Sequence, residues 1–335
     1  MKVAIALKIS PELEAHYREH IPKEIELIFS TDSSEETLLE FAPEVEILIS
    51  HKISAAFMEK AKKLRHIQVP WTGSEALDFS LLKQYPNITV SNSHSNSLAI
   101  AEHAVALLLA AAKRIPFRDS HMRKGDWSPR YDANRNSFWV TGKTLGVIGY
   151  GAIGTKTARI LKNGFNMKIY AIKRHSDKKV DDGIHDFLGG PQEIPFVLQE
   201  SDFVLIALPL TTETEGIIGQ DELKLLKQTA IIVNISRGTI IDERALYEHL
   251  KDNKFGAALD TWYNYPALSP IDPGESKNVF QNYPFEELDN LVMSPHSAWK
   301  VPDPGIKASK DIIENIIRIS KGKDPINKIN LDLGY

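Results

Sequence analysis

Short apolar runs alternate with amphipathic stretches over roughly the first ninety residues of the chain. The apolar runs predict strands at residues 3–7, 25–29, 45–49, 67–69 and 88–90. The amphipathic stretches between them predict helices at residues 11–20, 33–41 and 55–64. Strands that alternate with helices in this way are typical of a parallel sheet covered by helices.

A long apolar helix follows this first series. Residues 98–112 read LAIAEHAVALLLAAA and predict one helix over 97–112. Because it is apolar almost all round, we expect it to be buried between domains or between subunits. The polar stretch 114–140 predicts a partly helical connector, and residues 305–321 predict a terminal helix.

A second strand and helix series begins near residue 143. Strands are predicted at residues 145–148, 168–172, 203–208, 230–235, 256–259 and 291–293. Six strands with helices between them fit a doubly wound nucleotide-binding fold, so the predicted class is α/β with two doubly wound parallel-sheet domains. The segment 266–290 is too long for an ordinary connector and predicts a functional loop.

A glycine-rich turn opens the second series. Gly149-Tyr150-Gly151-Ala152-Ile153-Gly154 matches the G-x-G-x-x-G pattern between an apolar strand and a helix. The first glycine permits the tight turn, the second lets the backbone approach a pyrophosphate, and the third lets helix and strand pack closely. Glycines also serve ordinary tight turns, but in this context the motif predicts a dinucleotide site at the helix N-terminus.

The end of the next predicted strand bears on the choice of cofactor. An NAD enzyme usually has an acidic residue there to bind the ribose 2′-hydroxyl. This chain has Lys173 and Arg174, and no acidic residue until Asp177. Two cations suit a 2′-phosphate, so we favour NADP over NAD. The alternative is a solvated surface pair.

Composition narrows the possible functions. Lys plus Arg number 40 against 44 for Asp plus Glu, a formal charge of −4, which argues against binding nucleic acid or an anionic membrane by bulk charge. The absence of cysteine excludes disulfides, thiolate metal sites and cysteine nucleophiles, and no histidine spacing favours a metal site. No apolar run is long enough for a membrane span and the N-terminus does not resemble a signal peptide, so we expect a soluble cytoplasmic protein.

An ordered set of motifs covers nearly the whole chain: Ala101-Glu102-His103, the run 142–146, the run 208–211, Asn234-Ile235-Ser236-Arg237-Gly238 and Ser294-Pro295-His296. On these residues the sequence resembles the D-2-hydroxyacid dehydrogenases, which are D-isomer-specific and NAD(P)-dependent. The resemblance implies a flavodoxin-like substrate domain at 1–97 and 303–335 with a Rossmann cofactor domain, 98–302, inserted in it. It also implies a homodimer.

Two residues are the candidates for chemistry on a 2-keto acid. Arg237 follows a predicted central strand, where doubly wound folds bind ligands, and its planar fork suits a carboxylate and a carbonyl. His296 follows the last predicted strand, and an imidazole can give and take a proton near neutral pH. Taken alone, each could be an ordinary surface residue. The resemblance implies that Arg237 holds the substrate and that His296 is the acid/base.

The resemblance also implies roles for further residues. The loop with Trp71, Thr72 and Gly73 would receive the substrate carboxylate on its backbone N–H groups, and Trp71 would line the pocket. Asp260 would contact the nicotinamide side of the cofactor, although capping the following turn is its ordinary alternative. The remaining expected cofactor-binding positions are Pro209, Thr214, Ile235 and Ala298.

The sequence departs from the family pattern at Tyr265. The family usually has a glutamate there that pairs with the catalytic histidine and favours imidazolium. We therefore predict that His296 lacks its usual anionic partner and that keto-acid reduction has its optimum at lower pH than in relatives with the glutamate. Tyr265 could hydrogen-bond the imidazole or shape the substrate pocket, or simply pack against Trp262 and Tyr263.

The leading hypothesis is an NAD(P)-dependent 2-keto acid reductase. Formate or phosphite oxidation is a second possibility, because oxidising formate needs no proton abstraction from a hydroxyl. A nucleotide-sensing protein, like the family's corepressors, is the alternative from a different class. The sequence does not identify which 2-hydroxy acid is the substrate.

Overall fold

The computed structural model describes residues 1–30, 34–176, 182–265 and 282–335. The chain divides into two compact units, one formed by Met1–Asn96 with Lys300–Tyr335 and the other by Ser97–Trp299. Most of the predicted loop 266–290, together with Asp177, lies outside the described residues. No helix in the described ranges is long and apolar enough to cross a membrane.

The first unit is built on a parallel sheet with the strand order β2-β1-β3-β4-β5. Its strands are β1 (Lys2–Ile5), β2 (Glu26–Phe29), β3 (Ile47–Ile49), β4 (His66–Gln68) and β5 (Thr89–Ser91). Its helices are α1 (Pro11–His20), α2 (Glu35–Phe41), α3 (Ala55–Lys60) and α4 (Phe79–Leu82), joined by the terminal Pro304–Ser320. This strand order is the flavodoxin-like one.

The second unit carries a seven-stranded parallel sheet. Its strands are β6 (Thr144–Ile148), β7 (Lys168–Ile172), β8 (Phe187–Gly189), β9 (Phe203–Ile206), β10 (Ile231–Asn234), β11 (Gly256–Leu259) and β12 (Leu291–Met293). Its helices are α5 (Ser97–Ala112), α6 (Ile115–Met122), α7 (Ala152–Phe165), α8 (Ile194–Glu200), α9 (Gln220–Lys224) and α10 (Glu243–Lys251), so the helix Pro304–Ser320 is α11. The order β12-β11-β10-β9-β6-β7-β8 confirms the predicted α/β class.

The apolar pattern missed one strand of this sheet. β8 pairs with β7 at the edge and has only three residues, with a second glycine directly after it. A run this short carries too little periodicity to stand out from a loop. The other six strands were predicted within three residues of their observed bounds.

The long helix α5 is confirmed over its whole predicted length. Ala104, Leu107 and Leu108 are buried in the second unit's core, where α5 packs on α7 and on strands β10 to β12. A narrow face with Leu98 and Glu102 stays exposed. The apolar side chains of α5 therefore pack mainly on one side of the helix, against the core of its own unit.

Candidate active site

The glycine turn has a separate geometric reason for each of its three glycines. Gly149 has a φ of +108°, and a Cβ there would lie 2.4 Å from the Ala207 carbonyl oxygen. A Cβ on Gly154 would lie 2.2 Å from the Gly149 carbonyl oxygen. A Cβ on Gly151 would meet nothing within 4 Å. The first and third glycines thus close the turn and seat the helix, while the second faces open space.

That open space lies at the N-terminus of α7. Gly151 is the N-cap and has no side chain to satisfy the first helical N–H groups, which belong to Ala152, Ile153 and Gly154. Unsatisfied N–H groups and the positive end of the helix dipole form a ready site for an anion. The turn therefore fits the pyrophosphate of a dinucleotide.

The strand order reverses beside this turn. β6 has β7 on one side and β9 on the other, although β9 comes three strands after β6 in the chain. Ligands of doubly wound sheets bind at such a switch point, beyond the carboxyl ends of the strands. All seven strands are parallel, so the residues that follow β7, β9, β10, β11 and β12 share this edge.

On the β7 side, the two predicted cations are only partly buried. Lys173 follows β7 directly, and its backbone N–H donates to the Gly189 carbonyl. The Arg174 guanidinium forms an ion pair with Glu213, whose side chain is 67% exposed. Glu213 lies in the loop after β9, so this pair bridges the switch point. Sequence reasoning missed Glu213, whose only signal was an acidic residue between two threonines.

The same loop is held by Thr214. Its hydroxyl donates to the Pro209 carbonyl at 2.6 Å and accepts from the Thr211 N–H at 2.8 Å. Thr214 is buried and Pro209 is exposed. The hydroxyl of Thr214 is thus engaged within the loop, while Pro209 lies at its surface.

Arg237 lies on a tightly packed turn after β10. Asn234 donates to the Arg237 carbonyl at 2.9 Å, and Ile235 and Ser236 are buried beside it. A Cβ on Gly238 would lie 2.4 Å from the Trp262 carbonyl carbon, so only glycine permits this approach. Gly238 therefore places the half-buried Arg237 directly beside the segment that follows β11.

Asp260, at the end of β11, is fully buried and organises the turn after β12. One carboxylate oxygen accepts from the Ser294 hydroxyl and from the Ser297 N–H at 2.9 Å, and the other accepts from the Ala298 N–H at 3.0 Å. Burial alone would raise the pKa of this carboxyl, but the nearby His103 imidazole and the hydrogen bonds from Ser294 and the two N–H groups outweigh it and hold the pKa below its ordinary value. Asp260 is therefore an ionised carboxylate that accepts several hydrogen bonds inside the site.

His296 lies on the turn that Asp260 fixes. Its backbone has a φ of +55°, an uncommon conformation for a residue with a side chain. The Trp299 indole N–H donates to the His296 carbonyl at 3.0 Å. The Tyr265 ring lies 5.3 Å from the imidazole, centroid to centroid, at 44°. The Tyr265 hydroxyl accepts from the Trp262 N–H at 3.1 Å, which ties Tyr265 to the segment that follows β11.

The predicted substrate loop lies in the first unit, after β4. The Thr72 hydroxyl donates to the Ser93 carbonyl at 3.0 Å, and Gly73 follows it at intermediate exposure. Trp71 is 41% exposed, and its ring lies 4.9 Å from that of His51. His51 follows β3, and burial together with Lys52 lowers its pKa. Sequence reasoning missed His51, which follows a buried strand as Trp71 does.

Comparison with known proteins identifies the family. The model for the NAD binding domain of D-isomer specific 2-hydroxyacid dehydrogenases matches residues 105–298. The chain belongs to the D-isomer specific 2-hydroxyacid dehydrogenase family. The resemblance drawn from the motifs is thereby confirmed, and the second unit holds the family's NAD-binding domain.

Relatives in this dehydrogenase family cover most of the chain. Glyoxylate reductase from Korarchaeum cryptofilum is 32% identical over 292 residues, covering 85% of this chain and 82% of that protein. D-3-phosphoglycerate dehydrogenase from Archaeoglobus fulgidus is 31% identical over 339 residues, covering 99% of this chain. The chain spans only 59% of the length of that second relative.

Solved structures share the fold. An acyclic imino acid reductase in complex with NADPH and D-Arg has a TM-score of 0.79 and 28% identity, covering 98% of this chain and 100% of the other. D-2-Hydroxyisocaproate dehydrogenase also has a TM-score of 0.79, with 22% identity and coverage of 98% and 99%. At that identity the second likeness concerns the fold alone.

Proposed function

We propose that this dehydrogenase reduces a 2-keto acid to the D-2-hydroxy acid, consuming one NAD(P)H and one proton and releasing NAD(P)⁺, and that it runs the reverse oxidation. The observation that carries the proposal is the grouping of Arg237, Asp260 and His296 after three neighbouring parallel strands. A cation, an ionised carboxylate and an imidazole at the ligand-binding edge of a dinucleotide fold match what this reaction needs.

Arg237 binds the substrate in this proposal. Its guanidinium can donate two parallel hydrogen bonds to a carboxylate, or one each to carboxylate and ketone. The close packing of Gly238 on Trp262 supports this role, because a fixed turn loses little freedom when a ligand binds. Polarising the ketone oxygen makes the carbonyl carbon a better hydride acceptor.

His296 moves the proton. A bound nicotinamide would supply or accept the hydride. As the carbonyl carbon gains the hydride, its oxygen becomes an alkoxide, and the His296 imidazolium gives that oxygen a proton. In the oxidation the neutral imidazole takes the proton back from the hydroxyl. The hydrogen bonds from the N–H groups of Ser297 and Ala298 to Asp260 support this role, because they hold the turn that carries His296.

A loop of the first unit is the candidate for binding the substrate carboxylate. We assign carboxylate binding to the backbone N–H groups around Thr72 and Gly73. Trp71 and His51 present an aromatic surface, and the lowered pKa of His51 favours its neutral form. A largely uncharged wall suits an apolar or aromatic side chain better than a second carboxylate.

A substrate panel tests the proposal. NADPH and NADH oxidation is followed at 340 nm with glyoxylate, hydroxypyruvate, phenylpyruvate and 2-keto-isocaproate, and with each keto acid plus ammonia to form the imino acid. We expect turnover on at least one keto acid, with the D-hydroxy acid as product. Turnover only with formate or phosphite and NAD(P)⁺ would favour that second reaction. Tight cofactor binding without turnover on any acid would favour a nucleotide sensor.

We further propose that NADPH is preferred over NADH, by less than about tenfold. Lys173 and Arg174 attract a 2′-phosphate, but Glu213 competes for Arg174 and repels that phosphate. Glu213→Gln removes the competing charge and should raise the NADPH to NADH ratio of kcat/KM about fivefold. Glu215→Gln, an exposed glutamate in the same loop, should leave the ratio unchanged. An unchanged ratio in both variants would contradict this assignment.

A homodimer is the assembly we propose. The connector after α5 exposes large aromatic side chains: Trp127 at 59%, Tyr131 at 79% and Trp139 at 77%. Exposed aromatics on one segment are typical of a protein interface. Light scattering should give twice the chain mass, and the double substitution Tyr131→Lys with Trp139→Lys should give the monomer. A wild-type monomer would contradict this proposal.

A further inference from the structure

His103 links the long helix α5 to Asp260, the carboxylate that holds the turn carrying His296. Its Nε2 lies 3.0 Å from the Ser294 hydroxyl oxygen and 3.4 Å from an Asp260 carboxylate oxygen. The side chain of Asp260 is 1% exposed and that of His103 is 28% exposed. The imidazole therefore reaches from α5 into a buried polar cluster formed by His103, Asp260, Ser294 and Ser297.

The hydrogen bonds of this cluster fix where the protons lie. Asp260 is an acceptor only, so the Ser294 hydroxyl donates to it. The Ser297 hydroxyl, 3.1 Å from that of Ser294, is then the donor between the two serines. The Ser294 oxygen is left to accept from His103, which must carry its proton on Nε2. His103 thus donates into a chain that ends on the Asp260 carboxylate.

The turn that carries His296 is hydrogen-bonded to Asp260, where this chain of hydrogen bonds ends. Asp260 accepts from the N–H groups of Ser297 and Ala298, which directly follow His296. The positive φ of His296 costs free energy and persists only where its surroundings impose it. On the other side of the turn, the Trp262 indole N–H donates to the Ser294 carbonyl at 2.9 Å.

We propose that His103 is a positioning residue, which holds Ser294 and Asp260 in register so that the turn places His296 for proton transfer. It acts through Asp260 and Ser294, and no contact of its own with substrate or cofactor is required. The positioning of the turn by His103 does not depend on which reaction the protein catalyses. The expected effect on turnover rests on the proposed keto-acid reduction.

Two substitutions at His103 test the proposal. His103→Leu removes the donor, and His103→Gln replaces it with an amide N–H₂ at a similar reach. Hydrogen exchange of the peptide spanning residues 294–299 reads the turn directly, without cofactor or substrate. We expect exchange at Ser297 and Ala298 to be about tenfold faster in His103→Leu and restored in His103→Gln.

Kinetics give the second reading. In His103→Leu we expect kcat for the keto acid to fall about tenfold, because small misplacements of a catalytic group are costly, and His103→Gln should recover most of it. KM for the keto acid should change less than about threefold, since Arg237 is untouched. His121→Leu is the control, as His121 lies on α6 with a side chain 30% exposed and an aspartate 3.8 Å away.

Ser294→Ala removes the same bridge from its other end, and it serves if His103→Leu does not fold. Unchanged exchange in the variant that folds would overturn the proposal. Equal acceleration in His103→Leu and His103→Gln would also overturn it, because the effect would then come from packing and not from the donor. Accelerated exchange in a protein whose wild type turns over no keto acid would support the positioning of the turn and contradict the proposed function.

Discussion

A methyl group at Gly154 should damage the dinucleotide site and the fold together. In Gly154→Ala the new Cβ would lie 2.2 Å from the Gly149 carbonyl oxygen and 2.9 Å from a Val147 methyl group. To reach ordinary contact, the turn must retreat by about 1 Å, and overpacking of this kind costs about 2 kcal/mol. At about 3 °C per kcal/mol for a unit of this size, Tm should fall by about 6 °C.

The same displacement should weaken the binding of the cofactor. The N–H groups after Gly151 would no longer meet the pyrophosphate squarely, and losing one charge-assisted hydrogen bond worth about 2 kcal/mol raises Kd for NADPH about 30-fold. Fluorescence titration measures Kd, and differential scanning fluorimetry of the ligand-free protein measures Tm.

Gly164 offers a matched control on the same helix. A Cβ there meets nothing within 4 Å. Because alanine favours a helix over glycine by about 1 kcal/mol, Gly164→Ala should raise Tm by about 3 °C and leave Kd unchanged. A Gly154→Ala protein with the wild-type Kd would refute the assignment of this turn to the dinucleotide. Equal losses of affinity in both variants would do the same.

Two further substitutions probe the site's charges. Asp260→Asn puts an amide N–H₂ against N–H and O–H donors, and should cost about 3 kcal/mol of unfolding free energy at pH 7. Because folding lowers the pKa of Asp260, its stabilisation is present above the unfolded pKa and is lost as pH falls through the folded pKa, so the gap to wild type in urea melts should shrink below about pH 4. A gap independent of pH would contradict this, and the exposed Asp221→Asn should show almost no gap. Tyr265→Glu places a carboxylate beside His296, which favours imidazolium and should move the alkaline limb of keto-acid reduction up by about one pH unit, whereas Tyr265→Phe should leave it in place. An unmoved limb in Tyr265→Glu would argue against His296 as the acid.

Much of the fold follows from short-range pattern. The glycine turn, α5 and six of the second unit's strands were visible because each is a local signal of apolar period or turn chemistry. The same locality explains the miss at β8, where three residues beside glycines carry too weak a pattern. The hydrogen bond from His103 on α5 to Ser294 could not be predicted from this local pattern.

The contacts within the site join residues that lie far apart in the chain, so a local sequence pattern does not predict them. His103 and Ser294 are 191 residues apart in the chain, yet they share a hydrogen bond. The pairing of Arg174 with Glu213 arises only because the strand order reverses between β7 and β9. Tyr265 departs from the family pattern in the sequence alone, but the packing of its ring against the His296 imidazole is seen only in the structure.

Parallel kinetics of Arg237→Gln and His296→Asn test the central claim most directly. Asparagine tolerates the left-handed backbone at position 296, so this variant removes the imidazole with little strain. On the best keto acid of the panel, Arg237→Gln should raise KM at least about thirtyfold, and His296→Asn should lower kcat at least about a hundredfold, with Kd for NADPH within about twofold of wild type in both. Wild-type kcat in His296→Asn, or wild-type KM in Arg237→Gln, would contradict the account.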